Sequence, residues 1–256
     1  MQQQIKNFDD WRTEARKFLA GNIPPEKIIW NDVNVMQQGL FEAFQTEVAV
    51  EMQNKVPKEF MQLAEKISCH SDPEKWHILY SALWRITRGE RFLLDISTDK
   101  LVRRMKLMEK SVKFDAHKTK AFVRFRLTTE GHYIAWHNPD HMVLKLVAPF
   151  FSRRFSDMSW TIFTSRESVS WNGEELVYGA GMPASEAPAP DVLEDMWRAY
   201  YRSTFNPARI KIKAMKKEMP VRHWKTLPEA EIIEEILKEA PKRVEKMIEI
   251  AKQNLG

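Results

Sequence analysis

One cysteine, Cys69, is all the thiol chemistry the sequence offers. A single thiol excludes a disulfide framework, a cysteine-built zinc site and an iron–sulfur cluster, and it points to a reducing compartment. Glycine is also sparse, at eight in 256 residues. Nowhere do those glycines assemble into a phosphate-cradling loop, a Walker motif or a G-x-S-x-G elbow. No apolar run reaches the roughly 20 residues that a membrane-spanning helix needs. The opening stretch MQQQIKNFDDW has neither the basic n-region nor the apolar h-region of a secretory leader. These absences lead to the expectation of a cytoplasmic protein with no membrane partner, no metal and no cofactor.

What is present is a substantial core and an uneven charge. Apolar residues make up 43% of the chain and nine are tryptophans, enough burial to offset the ordering entropy that keeps polar chains disordered. Phe8, Trp11, Ala15, Phe18 and Leu19 recur at helical spacing until Gly21 and Pro24-Pro25. Lys27 to Trp30 reads as a short strand, and Phe41 to Met52 and Pro57 to Ile67 read as helices. Ser71-Asp72-Pro73-Glu74 has the pattern of a capping box with proline in the first turn. A further helix starts near Ser97 or Thr98 with a stripe of Leu101, Met105, Met108 and Val112.

After about residue 116 the period changes to two. Ala121 to Leu127 alternates, with Phe122, Arg124 and Arg126 on one face, and His132 to His137 returns as a second strand. Asn138-Pro139 opens a helix interrupted by Pro149. Ser159 to Thr164 is a third strand, and Asn172-Gly173 joins two more in a hairpin of type I′ pattern. Gly179 to Pro190 reads as a linker, followed by helices over Asp191 to Thr204 and Pro207 to Met219, one capped by Thr226 and Glu229, and a charged tail from Pro241. The expected fold is α+β: a mainly helical region over 1–95, then 96–256 with an antiparallel sheet (hairpin, helix, strand, hairpin), helices on one face and a helical C-terminal part.

The net charge of +5 conceals two concentrations of positive charge. Ten basic side chains lie between Lys100 and Arg126, and seven between Arg209 and Lys225 face the single acid Glu218. Clustering matters more than the total, because affinity for a polyanion follows the charges neutralised locally. In FNPARIKIKAMKKEMP, Ala208, Ile212, Met215 and Met219 fall on one helical stripe. Arg209, Lys213, Lys216 and Lys217 fill the adjoining arc, and Lys211 flanks the other edge. Asn206-Pro207 would open that helix, placing free amides and the positive dipole end where an anion sits. Together with Lys118, Lys120, Arg124 and Arg126, these residues form the candidate phosphate contacts. Phe122 and Trp136 are the candidate rings for stacking on an unpaired base.

Catalytic chemistry is not legible. His117 and Lys118, at an element boundary amid positive charge, have the types needed for acid–base or Schiff-base work. His137 and His141 flank Asp140, but a metal would need further ligands, and His132 or His70 would have to come from afar. Cys69-His70 is adjacent in sequence, which does not aim one side chain at the other.

Long strings of the sequence resemble an uncharacterised bacterial family described as DNA metabolism or DNA repair proteins. They are VPKEFMQLAEKISCHSDPEKWHILYSALWRI, DAHKTKAFVRFR, YIAWHNPDHMVLKLVAPFFSRRFSDMSWTIFTS and MWRAYYRSTFNPARIKIKAMKKEMPVRHWKTLPE, and the likeness extends from about Phe8 to about Ile233. The resemblance implies a DNA partner and a neighbouring radical-SAM DNA repair protein. Related modules are fused ahead of uracil-DNA-glycosylase-like domains, but no stretch here supplies that half's pocket motifs or cluster-binding cysteines. The resemblance brings no catalytic residues with it. The resulting expectation is a DNA-binding accessory protein. The alternatives are a DNA-processing enzyme (lyase, nuclease or glycosylase-related) and an adaptor for the radical-SAM protein.

Overall fold

Local sequence sets the ends of the first helix. Asn7 stands extended before α1 (Phe8–Ala20), its side chain accepting from the Asp9 and Asp10 amides, and Gly21 ends the helix. α1 buries Trp11, Ala15 and Phe18, the periodic positions of the sequence. The computed structural model describes residues 1–32, 56–186, 198, 199, 202, 206 and 211–253. The expected helix Phe41 to Met52, most of Asp191 to Thr204 and the end of the linker lie outside them.

β1 (Gln2–Ile5) and β2 (Ile29–Asp32) pair in parallel as a small sheet. Sequence reading found β2 two residues early and missed β1, because QQQI carries a single apolar side chain, Ile5, which is fully buried. α2 (Lys58–Ser68) and α3 (Lys75–Thr87) pack with α1 around Trp11 and Trp76, whose rings stack 6.2 Å apart. The buried Lys75 ammonium meets the Asp32 carboxylate at 2.7 Å.

α4 (Lys100–Phe122) is the spine of the molecule. Asp99 caps it by accepting from the Leu101 and Val102 amides. Its buried side contributes Val102, Met105 and Met108 to the N-terminal core, Val112 and Ala116 to the sheet core, and Phe122 to a third cluster with Leu227, Ala230 and Ile233. The expected strand Ala121 to Leu127 is therefore split: Ala121 and Phe122 end α4, Val123 turns extended, and only β3 (Arg126–Leu127) pairs as strand. Alternation with a period of two over five residues was outweighed by the burial of Phe122 on the helical face.

The second sheet has the order β3–β4–β5–β6–β7, with β4 (Tyr133–Trp136), β5 (Trp160–Phe163), β6 (Glu167–Trp171) and β7 (Leu176–Ala180). It is mixed rather than antiparallel: β4 and β5 run parallel. The cause is α5 (Leu144–Arg154), which crosses between them and packs back on the sheet, a connection that returns the chain in the same direction. Val147 and Phe151 of α5 meet Trp160, Ile162 and Val169 in the core, with Phe125 edge-on to Phe151 at 5.9 Å. Cys69 lies in the same cluster, its Sγ directed at the Glu65 carbonyl; burial, with the Glu167 charge adding to it, pushes the thiol up to about 12 and leaves it inert.

The C-terminal part comprises α6 (Ile212–Glu218), 3-10 turns over Val221–Thr226 and Pro228–Ile232, and α7 (Ile233–Gln253). The helix expected from Thr226 and Glu229 begins only at Ile233 and continues through Pro241. Met215 and Met219 pack on the Phe122 cluster as their stripe requires, while Ile212 is exposed. No helix of the described residues is long and apolar enough to cross a membrane.

Candidate functional site

A 23-residue helix that buries one side must present the other to solvent, and on α4 that side is basic. Arg103, Lys106, Lys110, Lys113, His117 and Lys120 are all exposed. Their steps of three and four residues confine them to an arc of about 100° over about 25 Å of helix, given 100° and 1.5 Å per residue. Of the two acids within the helix, one is buried away from this side and the other stands at its edge. Asp115 is buried and accepts the His141 amide at 2.8 Å. Glu109 lies at the edge of the arc between Lys66 at 3.0 Å and Lys113 at 2.6 Å; burial, the largest single effect, pushes its carboxyl up, but the hydrogen bonds and charges of the two lysines together outweigh it and hold it below the ordinary range. Arg103, Lys106 and Lys110 have no carboxylate partner among the described residues. Arg104, by contrast, points off the arc to Asp72 at 3.0 Å and to Glu74.

The second basic segment meets the end of this stripe. Lys118, expected as a surface phosphate or Schiff-base residue, is 3% exposed. Its ammonium donates to the Glu218 backbone carbonyl and, at 3.1 Å, to the Glu218 carboxylate. It is a tether between α4 and α6, corrected from a ligand-binding role because its hydrogen bonds are spent within the fold. The same carboxylate feels the charges of Lys217 and His117, so the two basic segments converge at one point. Lys211, Lys213, Lys216 and Lys217 are exposed on or beside α6. The helix does not start at Asn206: α6 begins at Ile212, with Lys211 as its N-cap, so the expected anion site at Asn206 is not formed by this helix. Arg209 lies outside the described residues.

Lys118's hydrogen bond, foremost, holds Glu218 below the ordinary carboxylate range. A depressed carboxyl contributes stability that is complete above the unfolded value of 4.5 and lost as the pH falls through the folded value. The melting temperature of the protein should therefore decline more steeply below pH 4.5 than that of Glu218→Gln, and scanning calorimetry from pH 6 to pH 3 measures the difference.

The strand-face candidates are dispersed. Phe122, expected to stack on a base, is 8% exposed and stacks instead on His223 at 5.2 Å. His223 stacks in turn on His137 at 5.1 Å, so His137, fully buried, belongs to this column of rings. Arg124 donates to Glu229 at 2.6 Å in a largely buried pair and to the Ala121 carbonyl. A guanidinium so engaged closes the C-terminal segment onto α4 rather than meeting a phosphate. Arg126 lies on β3 opposite Ile134. Trp136 is half-buried on β4, its indole N–H donating to the Met182 carbonyl at 3.0 Å.

His141 packs among His70, Ser71 and Ser111. The structure brings His70, expected to be remote, against His141 at 4.2 Å between ring centroids. His141 Nδ1 accepts from the Ser71 amide, which leaves Nε2 to donate to Ser111 Oγ at 2.7 Å. His70 Nδ1 accepts from the Asp72 amide, and burial lowers its proton affinity. These nitrogens are committed to the fold, and among the described residues no group of three or more His, Cys, Asp or Glu is placed to hold a metal. Sequence reading counted the cations of α4 without resolving their arc; the steps of three and four from Arg103 to Lys120 were the available signal.

A family model described as a domain of unknown function, DUF4130, matches residues 73–229. That span ends on Glu229, the partner of Arg124. Searches of curated proteins and of solved structures return no match.

Proposed function

The chain belongs to the DUF4130 family, whose function is unknown, and from its own surfaces we propose that it is a DNA-binding accessory protein that grips backbone phosphates with the exposed face of α4. The observation that carries the reading is the exposed cationic arc from Arg103 to Lys120, which has only Glu109 at its edge as a paired acid among the described residues. Solvated helix faces gain from mixing signs at i and i+4; here Glu109 and Lys113 form one such pair, while Arg103, Lys106 and Lys110 stand three and four residues apart with like charge and accept their mutual repulsion. A polyanion relieves that repulsion and releases its own counterions in doing so. The exposed lysines of α6 extend the field past His117. A repair or base-modification pathway, and a radical-SAM DNA repair protein as partner, rest on the sequence resemblance alone.

Fluorescence anisotropy of labelled 20-mers, single-stranded and duplex, tests the proposal between 50 and 300 mM salt. With about four to six phosphates neutralised, log K should fall against log salt with a slope near −3 to −5. Absence of binding to both forms at 50 mM salt, or binding that ignores salt, would overturn it.

A further inference from the structure

Two exposed phenylalanines border the basic arc. Phe114 of α4 is 50% exposed and Phe150 of α5 is 36% exposed. Each carries a lysine ammonium over its ring: Lys118 at 5.1 Å from the Phe114 centroid and Lys120 at 5.4 Å from that of Phe150. By helical angle Phe114 lies between Arg103 and Leu107 on one rim of the arc, about 40–60° from His117 and Lys110. Phe150 lies beside the opposite rim, at the end of α4: Lys120 reaches over its ring, and Arg153 and Arg154, three and four residues on, are exposed with it.

From this arrangement we infer that the face is built for single-stranded nucleic acid, with Phe114 and Phe150 as the platforms on which unpaired bases stack; the inference rests on the phosphate-binding reading above. A duplex satisfies the cations but not the rings, because its bases are stacked on one another and hide their π faces. Phe114 and Lys120, the residue that meets Phe150, are six residues apart, about 9 Å of rise along α4. A single strand running from one ring to the other would carry its phosphates past Lys113, His117 and Lys120. Aromatic platforms along a cationic groove are the general solution to binding single strands without reading sequence, since every base has a π face. Of the rings assigned from sequence, Phe122 is packed into the fold and Trp136 is half-buried and held by the Met182 carbonyl. The exposed pair takes their place.

The full-length protein is titrated with labelled dT15, rU15 and a 15-bp duplex at 100 mM salt. The expected result is tighter binding of a single strand than of the duplex, with the preference between dT15 and rU15 identifying DNA or RNA as the source. Phe114→Ala should weaken single-strand binding about 5- to 100-fold, the range of one stacked base. Its salt slope and its affinity for the duplex should not change. Phe114→Trp should bind as well as the parent and Phe114→Leu as poorly as alanine, which separates stacking from apolar contact. Circular dichroism melts confirm the fold of each variant. If Phe114→Ala and Phe150→Ala bind dT15 and rU15 within twofold of the parent while salt-dependent binding persists, the stacking role falls and the phosphate reading stands. If the parent binds none of the three probes, the phosphate reading falls with it. A duplex preference overturns the single-strand assignment alone.

Discussion

Replacing Lys106, Lys110 and Lys113 together by glutamine is expected to weaken oligonucleotide binding by about 10²–10³-fold at 0.1 M salt, since each phosphate contact contributes about 0.9 of a decade between 1 M and 0.1 M. The salt slope should flatten by about 2 to 3 in the same variant, and uniformly across sequences, because phosphate contacts carry no sequence information. All three side chains are exposed, and among the described residues the only ion pair lost is Lys113 to Glu109, whose carboxylate keeps Lys66. Surface changes of this kind stay within about 0.5 kcal/mol each. Arg104→Gln is the contrasting control. Its guanidinium is committed to Asp72 and Glu74, so it should leave binding nearly intact. Anisotropy titrations decide the matter; an Arg104→Gln loss of about one third of the triple variant's, on a logarithmic scale, would show that net charge alone, and not the arc, governs affinity.

The largest loss of stability is expected at Trp160. Its side chain is fully buried at the start of β5, with Phe125 at 5.8 Å and Phe151 at 6.1 Å, and the strand pairs with both β4 and β6. Trp160→Ala removes a large ring from a packed site and should cost about 3–5 kcal/mol. Against a total of about 5–15 kcal/mol that is a major fraction, and for a chain of this size it lowers the melting temperature by about 6–20 °C. The cations of α4 face away from this core, so below its melting point the variant should keep its affinity for oligonucleotides. A melting shift under 3 °C would mean that the site repacks around the missing ring.

The sequence was most informative where one period ran long and the caps agreed with it. α1 is an example, with Asn7 before it and Gly21 after it. It misled where short signals met tertiary demands. Ser71 has the chemistry of an N-cap, yet α3 begins at Lys75 and Ser71 is drawn to His141 instead, leaving Asp72 to accept the Glu74 amide. Asn172-Gly173 does mark a hairpin, but Trp171 pairs with Leu176 across a four-residue loop. Gly173 takes the positive φ of +100°, and Asn172 uses its side chain to accept from the Glu174 and Glu175 amides. A two-residue type I′ turn and this loop share the same dipeptide, and only the register separates them. In the candidate site, charge density was legible, because it needs no partner. The fate of Phe122, Lys118 and Arg124 was not, because each is decided by a residue about a hundred positions away: His223, Glu218 and Glu229.

That long reach also orders events during synthesis. The ribosome delivers α4 about a hundred residues before the segment that covers its far end, and closing so long a span is slow compared with forming the β5–β6–β7 meander from neighbouring strands. Until the C-terminal segment emerges, the nascent chain displays Phe122, the Lys118 ammonium and the Arg124 guanidinium to solvent as a sticky, cationic surface, with a polyanionic ribosome close by. Glu218 and Glu229, arriving last, quench two of those charges from within. The acids of the C-terminal segment thereby remove Lys118 and Arg124 from the cationic surface and leave the exposed side of α4 to carry it.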